Sequence, residues 1–256
     1  MKWRFFSNVS LLLLLAISAR ADSTSKERIA VGGQTRSYVL HVPASGLSSG
    51  RAPLLVLLHG SGRDGTSLVR PWRKLAKSEG VILAAPNSLD SATWMAPVDG
   101  PEFIVRVAEA VAERYPVDRR RIYLFGHSSG AVFALLVSCW ESEYFAAVSV
   151  HAGAFRQPAE AVVVERARRK IPVQLIVGTR DPFFPVRIVR INRDYFSKNG
   201  FPVELIEIPG HDHDYYRISS KVNRRAWRFL KDKQLPRAPK SKFADRRGAS
   251  LSPGVR

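Results

Sequence analysis

"RIYLFGHSSGA" (residues 121–131) decides how the rest of the chain is read. An apolar run stops abruptly in Gly126, His127, Ser128, Ser129 and Gly130, and a second apolar run, "AVFALLVSCW", begins at once. Strand, tight turn and helix account for that order. An ordinary turn would need the glycines and serines only for their small size. A nucleophile elbow needs more: glycines at 126 and 130, where the chain reverses sharply, and a serine at 128 whose hydroxyl projects from a cramped turn. The helix that follows aims its N-terminus at the same point, which favours developing negative charge.

The segments on either side supply the sheet that such an elbow requires. "IAVGGQTRSYVLHV" (residues 29–42) reads as a hairpin turning at Gly32 and Gly33. "PLLVLLHG", "VILAAP", "RIYLFG", "FAAVSVHAG", "PVQLIVG" and "VELIEIPG" are short apolar runs of the kind expected of strands covered on both faces. Amphipathic or apolar helical segments alternate with them, ending in "YYRISSKVNRRAWRFLK". The expected fold class is therefore α/β, with a mostly parallel sheet of about eight strands and helices on both faces.

The chain has 256 residues, enough to bury a substantial core. Residues 1–21 read as a secretory signal peptide: Lys2 and Arg4, then "LLLLLAI", then "ARA" as a small-x-small cleavage site. That apolar run is short for a bilayer span, so no stable membrane insertion is expected after cleavage near Asp22. Export to the periplasm or the extracellular medium follows as an expectation, and the sequence does not separate the two. Residues 22–230 are expected to form the single folded domain, and residues 231–256 ("KDKQLPRAPKSKFADRRGASLSPGVR") a basic, disordered C-terminal tail. Cys139 is the sole cysteine, so no internal disulfide is available.

The net charge of +18 is spread unevenly: +3 lies in residues 1–21, +6 in residues 231–256 and +9 in between. The basic residues fall in short scattered clusters without aromatic interleaving. A solvated basic surface is expected, with no nucleic acid as partner. Oligomeric state is unknown from sequence.

A serine hydroxyl needs a base within hydrogen-bond reach and a carboxylate to orient that base. In an open parallel sheet these partners belong at the carboxyl ends of later strands. "PVQLIVG" ends in "TRDPFFP", which puts Asp181 there, and "VELIEI" ends in "PGHDHDYY", which puts His211 and His213 in the next loop. Three strand ends thus carry the required types in the order serine, acid, histidine. Asp181 before Pro182 also suits a helix cap, and Asp212 and Asp214 suit loop or capping roles. The glycine-rich "LLHGSGRDG" (residues 57–65) lets backbone approach a substrate closely. The N–H groups of Ser61 and Ser129 are the expected oxyanion donors. His59 is expected to shape that loop. His59, His127, His151 and Trp94 are further candidates for pocket residues. "HDHD" has the spacing of some metal sites, but no third ligand motif accompanies it, so neither metal nor cofactor is expected.

Taken together, "LLHGSG", "GHSSGA", "GTRDPFFPV" and "HDHDYY" resemble the α/β-hydrolase superfamily, and within it the esterases related to polyhydroxybutyrate depolymerase and feruloyl esterase. The likeness runs from about Ser37 to Leu230. The resemblance implies a Ser128–Asp181–His triad and an acyl-enzyme intermediate. Relatives often have glycine where Ala131 stands, a small change. Their histidine commonly follows a glycine, which points to His211. "DHDYY" is also similar to the "DHSYY" of S-formylglutathione hydrolase-like esterases, which points to His213. His213 is taken as the base and His211 as the alternative. A small or oligomeric ester is the expected substrate, since no substrate-binding module is seen after residue 230. The contrasting expectations are a non-catalytic hydrolase-fold binding protein and a serine peptidase-like hydrolase.

Overall fold

The computed structural model describes residues 21–48, 50–156, 158–240 and 242–243. The signal peptide expected over residues 1–21 therefore lies almost wholly outside the described residues, as does the tail beyond residue 243. Among the described residues no helix is long and apolar enough to cross a membrane.

The chain opens with β1 (Ser23–Val31) and β2 (Gln34–Val42), a hairpin that turns on Gly32 and Gly33. Both glycines have positive φ, 57° and 77°, as a tight two-residue hairpin turn requires. A short helix α1 (Ala44–Ser48) precedes β3 (Ala52–Leu58), and from there strands and helices alternate. These are α2 (Gly65–Glu79), β4 (Ile82–Pro86), α3 (Pro101–Arg114), β5 (Val117–His127), α4 (Ser129–Trp140) and β6 (Ala147–His151). The chain continues through α5 (Pro158–Arg166), β7 (Val173–Gly178), α6 (Val186–Lys198), β8 (Val203–Ile208) and α7 (Tyr215–Leu230). The eight strands form one sheet in the order β1-β2-β4-β3-β5-β6-β7-β8. β2 runs antiparallel to its neighbours β1 and β4, and the remaining pairs are parallel.

The continuous apolar strands follow from burial on both faces. In β3, Leu54, Val56 and Leu58 face a core built with α3, α4, α5 and α6, while Leu55 and Leu57 face a second core built with α2 and α7. In β5, Ile122 and Leu124 divide from Tyr123 and Phe125 in the same way. A period of two therefore feeds two cores, and each position must be apolar. Helix α2 shows both ends of helix chemistry: the Asp64 side chain accepts the Ser67 N–H at its start, and Gly80 closes it in the left-handed region at φ 68°.

Two sequence expectations need adjusting. β5 begins at Val117, four residues before the apolar run at Arg121, because the basic stretch is carried through an irregularity in the ladder: the pairing with β3 shifts between Ala52 and Leu54. The Asp118 carboxylate there accepts from Arg121 Nε at 2.7 Å. The boundary expected at residue 230 also falls too early. Leu235 is 2% exposed within the α2/α7 core, and its N–H donates to Arg120 O at 2.9 Å. Arg120 Nε donates back to Leu235 O at 2.7 Å, and Tyr123 Oη donates to Lys233 O at 2.6 Å. One apolar side chain in a polar stretch, with backbone partners on β5, holds this segment to the domain.

Candidate active site

β5, β7 and β8 end on the same rim of the sheet, and the turn after β5 is the tightest of the three. Ser128 has φ 58° and ψ −123°, a positive φ that a non-glycine residue adopts only at a cost of about 1–3 kcal/mol. The glycines beside it are dictated by space. A Cβ on Gly126 would lie 2.2 Å from Gly130 O, and one on Gly130 would lie 2.1 Å from Leu58 O. The strained serine is held by its own N–H, which donates to His151 O at 3.1 Å, and by its carbonyl, which accepts the N–H groups of Ala131 and Val132.

The three sequence candidates meet here. Ser128 Oγ lies 2.9 Å from His213 Nε2, and His213 Nδ1 lies 2.8 Å from Asp181 Oδ2. An ionised carboxylate only accepts, so Nδ1 carries the proton toward Asp181 and Nε2 is left to accept from the serine hydroxyl. The Asp181 side chain is fully buried. Burial pushes its carboxyl up, but the hydrogen bonds from His213 and from the backbone N–H groups of Phe184 and Phe183 outweigh burial and hold it below the ordinary carboxylate value. Asp181 is not a helix cap: α6 begins at Val186 with Pro185 at its N-cap and no side-chain cap bond, and the Asp181 carboxylate instead closes the turn before it. Oδ1 accepts the N–H groups of Phe183 and Phe184, each at 2.9 Å, while Oδ2 serves His213.

His211 does not reach Ser128. Its ring is buried and faces His151, with centroids 5.4 Å apart, and its carbonyl accepts the Arg180 N–H at 2.8 Å. Asp212 accepts from Arg217, and Asp214 caps α7 through the N–H groups of Tyr216 and Arg217. Among the described residues no group of three or more His, Cys, Asp or Glu is arranged to hold a metal ion.

A pocket of about 720 Å³ opens over Ser128. Ser61, Ser129, His127 and Trp94 line it, whereas His59 and His151 lie behind its wall. His59 is a fastening for the loop after β3. Its Nδ1–H donates to Gly60 O at 2.9 Å, its Nε2 accepts the Ser88 N–H at 3.2 Å, and its carbonyl accepts Trp94 Nε1–H at 2.8 Å. His127 Nδ1 pairs with His151 Nδ1 at 3.1 Å. Burial, with the charge of neighbouring His213, drops the His127 pKa to about 3, so at neutral pH it is an uncharged wall and no rival base. Trp94 is both a packed aromatic and a pocket wall, stacked on Phe133 with centroids 5.3 Å apart.

Several residues of the site escape sequence reasoning. Phe183 and Phe184 clamp the His213 ring, the first edge-on at 4.8 Å and the second stacked at 6.0 Å. "PFFP" directly after a strand-end aspartate was the available signal. Arg63, Arg156, Phe133 and Tyr216 also line the pocket. Behind the Trp94 loop, Asp99 and Arg36 form a buried ion pair, and Asp99 accepts the N–H groups of Leu89 and Met95, each at 2.9 Å. Arg36 donates to Val98 O at 2.7 Å and Asn87 O at 3.1 Å. No local pattern links positions so far apart in the chain.

Residues 102–222 match the model of a family described as Phospholipase/Carboxylesterase, a span that includes Ser128, Asp181 and His213 but not the loop after β3. A protein named "Putative esterase NocK" from Nocardia uniformis subsp. tsuyamanensis is 33% identical over 180 residues, 64% of this chain and 51% of that protein. The bifunctional acetylxylan esterase/xylanase XynS20E of Neocallimastix patriciarum is 25% identical over 146 residues, 56% of this chain and 21% of that protein. The chain thus spans about half the length of the first relative and about a fifth of the second. Among solved structures, the fluorophosphonate-binding serine hydrolase F of Staphylococcus aureus superposes with a TM-score of 0.68 at 16% identity, covering 83% of this chain and all of that one.

Proposed function

We propose that this chain is an α/β-hydrolase that cleaves carboxylic esters by a serine nucleophile, through a Ser128–His213–Asp181 triad and an acyl-enzyme, a reading supported by the family match and the esterase relative. The observation that carries this reading is the pair of contacts on one imidazole, 2.9 Å to Ser128 Oγ and 2.8 Å to Asp181 Oδ2.

In this mechanism His213 Nε2 takes the hydroxyl proton as Ser128 Oγ bonds to the ester carbonyl carbon. The buried Asp181 carboxylate stabilises the imidazolium that forms. The carbonyl oxygen, now negative, receives the N–H groups of Ser129 and Ser61 at the mouth of α4. Collapse of the tetrahedral intermediate expels the alkoxide, which takes the proton from His213, and leaves an acyl group on Ser128. Water, deprotonated by the same imidazole, attacks the acyl-enzyme. The second tetrahedral intermediate then collapses, breaking the bond to Ser128 Oγ, which takes the proton back from His213 as the acid leaves. A small or oligomeric ester suits a pocket of about 720 Å³.

Labelling with a fluorophosphonate probe tests the reading. The chain is expected to label at Ser128 and to lose labelling in Ser128→Ala. His213→Ala is expected to lose p-nitrophenyl acetate hydrolysis by about a thousandfold or more, whereas His211→Ala keeps most of it. Equal loss in both, or an unlabelled wild-type chain, would overturn the assignment. We also propose export of the mature chain, supported by the composition of residues 1–21. Sequencing the N-terminus of protein recovered outside the cytoplasm is expected to begin near Asp22.

A further inference from the structure

The pocket over Ser128 has two kinds of wall. Trp94, Val132, Phe133 and Leu136 make one side apolar. The other carries two guanidinium groups, from the loop after β3 and the segment after β6, each laid on an aromatic ring that also belongs to the lining. Arg63 sits over Tyr216 at 5.1 Å from the ring centroid, and Arg156 over Phe184 at 4.3 Å. Arg156 also donates to Phe183 O. Among the described residues neither arginine forms an ion pair.

The acids nearby are committed elsewhere. Glu160 accepts the Arg156 N–H at 2.7 Å, Asp214 caps α7, and Asp64, next to Arg63, caps α2. An arginine held over an aromatic face retains N–H donors for an anion, and its planar fork matches a carboxylate. Arg63 has the fewest competing contacts. The charge of +9 on residues 22–230 favours the approach of anions over cations to the protein as a whole.

We propose that the ester taken by this pocket bears a carboxylate, which Arg63 engages while an uncharged part of the molecule lies against Trp94 and Phe133. The inference rests on the ester-hydrolase reading above. The carboxylate can belong to the acyl half or to the alcohol half of the ester, and two substrate pairs separate these. For the alcohol half, the butyrate ester of 4-hydroxybenzoate is compared with that of 4-hydroxybenzamide. For the acyl half, the 4-nitrophenyl monoester of adipic acid is compared with 4-nitrophenyl hexanoate.

One pair is expected to favour its anionic member by about tenfold in kcat/KM, a preference that falls several-fold in Arg63→Gln and is partly kept in Arg63→Lys. Raising the salt from about 0.05 M to about 0.5 M shrinks it. Equal rates within both pairs, or a preference that survives Arg63→Gln, overturns the inference. Binding of the amide analogue 4-butyramidobenzoate to Ser128→Ala, measured by calorimetry, gives a readout that needs no turnover. Where the alcohol-half pair is the one that discriminates, this binding is expected to weaken when Arg63→Gln is added, and unchanged binding there overturns the proposal. A chain that fails to label at Ser128 yet binds the analogue through Arg63 sinks the hydrolase reading alone. Labelling without any carboxylate preference sinks the Arg63 proposal alone.

Discussion

Asp181 and Asp99 are two buried carboxylates with nearly the same set of partners. Each accepts two backbone N–H groups from a loop beside the pocket and one side-chain donor from a distant element. They differ in that donor. Asp181 holds an imidazole, whose second nitrogen is left to accept a proton from Ser128. Asp99 holds a guanidinium, which has no acceptor to offer. The first arrangement suits a proton relay, whereas the second is a permanent fastening for the loop that bears Trp94. The identity of the cation, more than the burial of the acid, separates chemistry from architecture here.

Exchanging each acid for its amide breaks the comparison most sharply. Asp181→Asn presents an N–H or a poorer acceptor to His213 and disfavours the productive tautomer. Ester hydrolysis is expected to fall by about 10⁴-fold in kcat, with a much smaller change in the urea midpoint. Asp99→Asn leaves Arg36 buried with a weak partner, and equilibrium unfolding is expected to show a loss of about 3–5 kcal/mol. Its kcat/KM falls less than that of Asp181→Asn, through the looser Trp94 wall. If the two amides produced the same profile of rate and stability, the distinction drawn between the sites would fail.

A smaller effect sharpens the contrast through pH. His127 and His151 are buried and held below the ordinary histidine value of 6.5, so they stay neutral in the folded chain while the unfolded chain takes up protons. Stability is therefore complete above pH 6.5 and declines as pH falls toward 3, where His127 itself would titrate. Asp181, held below its ordinary 3.8, contributes in the same direction but only in the lower window beneath that value. Thermal melts at pH 7 and pH 5 are expected to show the histidine part, partly offset by Glu141: burial pushes its carboxyl up, so its contribution to stability is lost as pH rises. His151→Phe should flatten that slope, and an unchanged slope would count against burial as its cause.

Much of the site was legible because each part announces itself locally. A glycine-flanked serine between an apolar strand and an apolar helix is a local pattern, and so is an aspartate or a histidine just past a strand end. Which histidine turns inward is not local. His211 and His213 are two residues apart, and the side that each faces depends on the path of the loop between Ile208 and Tyr215 over β7. Nor could the docking of Leu235 be read, since one leucine in a charged stretch carries no period.

The order of strands and helices, the burial of both sheet faces and the succession of serine, aspartate and histidine at later strand ends were determined by sequence alone, because hydrophobic period and turn chemistry act between near neighbours. Tertiary structure alone decided that His213 meets Ser128 and Asp181, that Asp99 finds Arg36, and that Arg63 and Arg156 stand over aromatic rings at one pocket. Those are meetings of residues from separate crossovers, governed by how the strands align at one rim of the sheet, and no spacing along the chain encodes them.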